Sequence, residues 1–354
     1  MTQTHYPRDY EVFFGIDVDK HSFMFTVENH GTMSKAKKIP SEPEQLHRYV
    51  RNHFADKKVL FAYEAGPTGY HLYDYLSKQG HECLVVSPLS IPRAMNQKVK
   101  NNRIDSLRIV KELKAGKLQS IRVPQGVYRE LRHLVALREN YARNRKVTKQ
   151  RIKSLLLYTN LSAALKDSAQ NWSGNYLRML QKLSCSDVVR QRLDMLLMDL
   201  DYSRKQSLSV LRHSRKFVND QPELRRYMSC LLSIPGVGFI TGVTILGRIG
   251  DPKKLRDVRE MSAFVGLVPV ENSTGDDVNR GPITHSGNRV LRSLLVEASW
   301  SAIRKDNELN QFFHRVRSRH HPKIGQRKAI VAVARKLTHR IYRVLKEQRK
   351  YIVH

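Results

Sequence analysis

The chain has 354 residues, with 63 Lys and Arg against 32 Asp and Glu and a formal net charge of +31 at pH 7. An excess of that size goes beyond what solubility needs and points to a polyanionic partner. A mean hydropathy of −0.50 and the lack of a long apolar run exclude a bilayer-spanning helix.

The N-terminus, Met1-Thr2-Gln3-Thr4-His5, is polar and has no signal-peptide core. The three cysteines, Cys83, Cys185 and Cys230, are far apart and form no Cys-x-x-Cys, which argues for a reducing compartment and against a structural zinc. Both features lead to the expectation of a cytoplasmic protein with no membrane partner.

Residues 11–122 read as α/β. The apolar run Val12-Phe13-Phe14-Gly15-Ile16 predicts a buried strand, and Phe23, Phe25 and Val27 at period two predict a second, paired with it. Gly31 marks the turn into a third. Ser41 with Glu44 reads as the N-cap and capping-box pair of a helix. Lys58 to Tyr63 is another apolar strand, and Pro67-Thr68-Gly69-Tyr70 leads into a helix with Leu72, Tyr73 and Leu76 on one face. Cys83 to Val86 is again β-like. The pattern predicts a mixed sheet with helices packed on it.

Residues 125–215 lose glycine and gain Leu and Arg, and read as helical. Arg129 to Lys153 holds nine Lys or Arg against two acids. Two readings stand for this helix: an exposed helix with a solvated face, or one that packs on a partner helix while lying along phosphate. Its candidate phosphate contacts are Arg143, Arg145, Lys146, Lys149, Arg151 and Lys153. Tyr128, Tyr141 and Tyr158 fit core or interface packing better than base stacking.

From about residue 216 the chain changes again. Ile234-Pro235-Gly236-Val237-Gly238 joins two apolar helical runs and resembles the hairpin of helix-hairpin-helix units, where Gly236 and Gly238 would let backbone N–H groups approach a phosphate. A Gly- and polar-rich stretch from Glu271 runs through Arg280-Gly281-Pro282 into His285-Ser286-Gly287-Asn288-Arg289, with Ser286 read as the cap of the following helix, Val290 to Ile303. Arg304 to Lys350 is helical and holds 15 Lys or Arg against three acids, a footprint for a sugar-phosphate backbone read by charge rather than by sequence. Arg280, Arg289, Arg315, Arg317, Arg319 and Lys323 are its candidate contacts. The division expected is 1–124, 125–215 and 216–354.

Against this basic background an acidic set stands out. Asp17 and Glu64 each end an apolar strand, and Asn102 and Asp105, three apart, share a face of a predicted helix. Brought together, they would offer oxygen ligands to divalent cations flanking a phosphodiester. Taken separately, each is also explained as a strand or helix cap, and spacing alone leaves both readings open.

Gly15-Ile16-Asp17-Val18, Tyr63-Glu64-Ala65-Gly66-Pro67-Thr68-Gly69-Tyr70 and Lys100-Asn101-Asn102-Arg103-Ile104-Asp105 resemble, in order, blocks of one family. It is the bacterial insertion-sequence transposases of family one-ten, subgroup eleven-eleven, related to the Piv DNA invertases. Ile234 to Gly238, Phe264-Val265-Gly266-Leu267-Val268-Pro269, and Gly281-Pro282-Ile283-Thr284 with Gly287 to Arg292 resemble its later blocks.

The resemblance implies a RuvC-like (ribonuclease-H-type) N-terminal domain with an Asp-Glu-Asp-Asp site for Mg²⁺ or Mn²⁺. It also implies a helical middle segment that joins copies into a homodimer or homotetramer, and a C-terminal transposase domain with a nucleophilic serine. Its partners would be donor and target double-stranded DNA and a structured guide RNA from the element, in a bacterial, nucleoid-associated setting. Asp17, Glu64 and Asp105 match three metal ligands, and the family's remaining acid falls on Asn102. The nucleophile position holds Thr274, with Ser273 just before it. The expected activity is RNA-guided cutting and rejoining through a covalent protein-DNA intermediate. The competing expectations are a metal-dependent nuclease or junction resolvase that uses water, and a relative weakened by Asn102.

Overall fold

The computed structural model describes residues 7–88, 91–92, 101–165, 172–271, 280–284 and 286–352. The chain forms two compact units, Met1–Val123 and Pro124–His354.

The first unit is built on a six-stranded mixed sheet. Its strands are β1 (Val12–Val18), β2 (Ser22–Asn29), β3 (Thr32–Met33), β4 (Lys37–Pro40), β5 (Val59–Glu64) and β6 (Glu82–Val86). β1 pairs antiparallel with β2 and parallel with β5, and β5 pairs parallel with β6. β1 is central and apolar on both faces, as its continuous hydrophobic run requires. On one face Val12, Phe14 and Ile16 pack with Phe25 and Phe61 under helices α1 (Pro43–Phe54) and α2 (His71–Lys78), through Leu46, Val50, Leu72 and Leu76. On the other, Phe13 packs with Leu60, Ala62 and Leu84 under α3 (Asn102–Lys114), through Ile109, Val110 and Leu113. The predicted cap of α1 is corrected here. Pro43 opens the helix after Glu42, and the Ser41 hydroxyl donates instead to the Lys20 carbonyl at 2.8 Å. Proline's fixed φ suits the first helical position and moves the start past the serine.

The second unit is helical apart from one short strand pair. Helix α4 (Gly126–Tyr158) runs for 33 residues and packs lengthwise on α6 (Asp187–Asp220), with α5 (Gly174–Lys182) between them in sequence. The regular rhythm is on α6: Leu193, Leu200, Ser207 and Ser214 recur at seven, with Ser203 and Val210 between, and all are buried. α4 meets it with Ile152, Leu155 and Leu156, which cluster with Leu193 and Leu200, while its Tyr128, Leu131 and Val135 join the larger core, the last two lying against Gly247. Arg190 closes the end of α5, its Nη1 donating to the carbonyls of Leu180 and Gln181 at 3.0 and 3.1 Å.

The larger core of this unit joins α7 (Pro222–Leu232), α8 (Phe239–Ile249), α9 (Val258–Val265), α10 (Arg289–Ala302) and α12 (Pro322–Glu347) around Tyr227, Leu246, Met261, Leu295 and Leu337. Helix α11 (Asn307–Ser318) packs on α12, and strands β7 (Pro269–Glu271) and β8 (Arg280–Ile283) pair antiparallel. Among the described residues no helix is long and apolar enough to cross a membrane.

Candidate active site

The last registered pair between the parallel strands β1 and β5 is Ile16 with Tyr63. Asp17 and Glu64 are the next residue on each strand, so the two carboxylates sit side by side at neighbouring strand ends. Alternation along the strands assigns their face. Phe13 on β1 and Leu60 and Ala62 on β5 belong to the α3 side, so Asp17 and Glu64 share it. Both are half-buried.

Three contacts fix where α3 lies. Gly15 has no Cβ, and one added there would collide with the Ser106 carbonyl oxygen and the Val110 backbone nitrogen, so the helix rests directly on the strand. The Ser106 hydroxyl is 2.9 Å from that of Thr26, which lies opposite Gly15, and Lys114 pairs with the buried Glu28, opposite Phe13. The later helix residue thus sits over the earlier part of β1. The helix runs antiparallel to β1, and its first turn, carrying Asn102 and Asp105, is directed towards the Asp17 end. Asn101 caps that turn, its side chain accepting from Arg103 N at 3.1 Å, and the helix's positive end favours a carboxylate beside it.

Within the set, Asp105 pairs with the Arg108 guanidinium one turn later, and Asn102 is exposed. Asp19 is exposed and accepts from the His21 backbone at 3.2 Å. Among the described residues, no three His, Cys, Asp or Glu side chains gather closely enough to hold a metal ion. The donor chemistry suits a hard cation, since all four positions offer oxygen, but Asn102 brings no charge and Asp105 carries its own counter-cation. Arg108 was not singled out from sequence. Its three-residue offset from Asp105 is the signal that could have found it.

Ser273 and Thr274 lie outside the described residues. Around them, Pro269 pairs with Ile283 and Glu271 with Arg280. The blocks on either side are drawn together by glycine. A Cβ on Gly287 would meet Gly266 N at 2.6 Å, and Arg292 donates to the Ser286 carbonyl at 3.0 Å and that of Gly266 at 3.3 Å. The expected cap at Ser286 is corrected. Asn288 caps α10 by accepting from Val290 N and Leu291 N, while the Ser286 hydroxyl meets that of Thr284 at 2.9 Å.

On α4, Arg143, Lys146, Arg151 and Lys153 are exposed and Arg145 and Lys149 half-buried. The Lys149 ammonium lies 4.9 Å over the Trp172 ring, and burial, then Arg145 and Lys153, push its pKa down. Tyr128 is buried and Tyr141 faces Tyr202, but Tyr158 is 88% exposed. Gly236 has φ +86 and sits so close to α10 that a Cβ would lie 2.9 Å from that of Ala302; Gly238, at the start of α8, faces open space. Arg280 lies on β8, and Arg289 is exposed at the first turn of α10. Arg315, Arg317, Arg319 and Lys323 are exposed around the junction of α11 and α12, with Arg315 stacked 5.5 Å over Phe312.

The transposase IS116/IS110/IS902 family model matches residues 228–314, and the IS110 DEDD model, described as a transposase, matches residues 14–160. A putative transposase of Sinorhizobium fredii is 30% identical over 322 residues, covering 90% of this chain and 74% of that protein. The transposase for insertion sequence element IS1111A of Coxiella burnetii is 32% identical over 123 residues, 34% of this chain and 33% of that one. The pilin gene-inverting protein of Moraxella bovis is 28% identical over 138 residues, 38% and 42% of the two chains.

Proposed function

The chain belongs to the IS116/IS110/IS902 family of transposases and is a DNA transposase or recombinase, and we propose that it cuts and rejoins DNA under the guidance of a structured RNA from its own element, through a covalent protein-DNA intermediate. The observation that carries the reading is the pair of carboxylates, Asp17 and Glu64, on neighbouring strand ends beneath the first turn of α3. Asp17, Glu64 and Asp105, with the Asn102 amide, would hold Mg²⁺ or Mn²⁺. A divalent cation held there would supply positive charge to offset the anionic phosphodiester transition state. Arg108 engages one oxygen of Asp105, so that carboxylate would offer its other oxygen to the ion. In that reading the hydroxyl of Ser273 or Thr274 loses its proton as it attacks phosphorus, an O–P bond to the protein forms, and the bond to the 3′ oxygen breaks, that oxygen leaving as a protonated hydroxyl. The phosphodiester is conserved in the linkage, so rejoining needs no outside energy source.

In the same reading, residues 125–215 join two or more copies and residues 216–354 carry the transposase domain. Support for the first role is an exposed stripe on α6: Val188, Met195 and Tyr202 recur at seven with Met198 between, 77, 62, 57 and 71% exposed respectively. A helix face of that period suits a second copy of the chain.

The test is incubation with DNA spanning an end of the element and RNA from that end, followed by denaturation. Protein-linked DNA that depends on divalent cation and RNA is expected, with a loss of at least ~100-fold in Asp17→Asn. Free cut ends with no protein attached would overturn the covalent route and favour attack by water. A second reading rests on Asn102, whose neutral amide lowers the charge of the set. If linkage appears only in Asn102→Asp, the natural chain is a weakened relative.

A further inference from the structure

The C-terminal unit holds a basic cavity that the reading above does not use. It measures about 340 Å³, lies between α12 and the start of α9, and is lined by Val258, Lys336, His339, Arg340, Tyr342 and Arg343. The cations in and beside it, Arg335 lying just outside the lining, are of two kinds. Arg340 is committed to the buried Asp306 at 2.6 Å and to Glu308, and Lys336 to Glu308 at 2.8 Å. Arg335, His339 and Arg343, at successive four-residue steps along one face of α12, form no ion pair among the described residues. The Tyr342 hydroxyl donates to the Arg256 carbonyl at 2.9 Å, which fixes that wall of the cavity.

The acids near this stripe are few and engaged. Asp257 caps α9 by accepting from Glu260 N at 2.7 Å, Glu260 faces Arg256 at 3.7 Å, and Glu308 is held by Lys336 and Arg340. Burial first, then Arg335 and Arg343, disfavour the His339 proton. Burial and the two guanidiniums act in the same direction, so the neutral imidazole is favoured until an anion enters the cavity. A concave, partly desolvated site strengthens any anion contact over the same charges on an open surface.

We propose that this cavity is a subsite for one backbone phosphate of double-stranded DNA, contacted by His339 and Arg343 with Arg335 alongside. It rests on the chain acting on DNA and adds a contact away from the acidic set. A phosphate favours protonated His339 and so raises its pKa. Binding therefore tightens as pH falls through the value of the free protein, which lies below the ordinary 6.5.

The experiment is titration of the full chain with a short fluorescent duplex of unrelated sequence at several salt concentrations, from about pH 7.5 to about 5.5. The Arg335→Gln/Arg343→Gln double variant, altered only at exposed positions, should lower the slope of log affinity against log salt by about 0.9 for each lost phosphate contact. His339→Gln should flatten the gain in affinity at low pH, and in wild type the duplex should raise the His339 pKa read by NMR. Unchanged slope and pH response, or a response to single-stranded RNA of the same length but not to the duplex, would overturn the subsite. Either result leaves the transposase reading standing, because that is judged by the DNA-linked product.

Discussion

The acidic set and the basic helices solve opposite problems. Asp17 and Glu64 follow strand residues that are buried on both faces, and α3 is pinned over them by Gly15, Thr26–Ser106 and Glu28–Lys114. Their backbone positions follow from the packing of the interior. Arg143, Lys146, Arg317 and Lys323 stand exposed on helix faces. Bond chemistry tolerates little misplacement, whereas phosphate attraction depends on the number and sign of charges more than on their exact geometry. One region spends core packing on placement, and the other spends surface on charge.

If that contrast holds, the largest effect of a small change should fall at Gly15. Gly15→Ala puts a methyl against backbone atoms that cannot rotate away, and should cost about 3 kcal/mol or more in a denaturant melt. Retention of wild-type stability would mean that α3 is not seated on β1. An intermediate effect should come from Lys146→Gln with Lys153→Gln. DNA affinity should weaken and its salt slope should drop by about 0.9 for each contact, while stability stays within about 0.5 kcal/mol. A large loss of stability there would show that α4 uses its cations for packing.

The smallest effect concerns Glu308. The Lys336 hydrogen bond, then Arg340, hold its carboxyl below the usual carboxylate range. A depressed acid contributes stability that is full above its ordinary 4.5 and is lost as pH falls through the lower folded value. Glu308→Gln should remove that part of the acid sensitivity and little else, in thermal melts across about pH 5 to 2.

The strands and most helices of the first unit were legible because their hydrophobic patterns are strong. Val12–Val18 and Val59–Glu64 appear within a residue or so of the expected bounds. Local caps were harder. Ser41 and Ser286 both sit where a cap belongs by spacing, but α1 begins at Pro43 with Glu42 in the cap position and no side-chain cap, and Asn288 caps α10 with a better-placed amide oxygen. The partner of α4 was also hidden. Its heptad rhythm lies on α6, some fifty residues further on and partly written in serine rather than leucine.

The sequence by itself determined the charge of the protein, the order of sheet and helices, the family, and the acids at the ends of two strands. Those depend on composition and on patterns only a few residues long. Only the tertiary structure decided that Asp17 and Glu64 share a face, that α3 points its first turn towards them, and which cations of α12 are already neutralised. Each of those turns on groups distant along the chain, such as Gly15 under Val110, Glu28 under Lys114 and Asp306 against Arg340, and no local pattern encodes which of them meet.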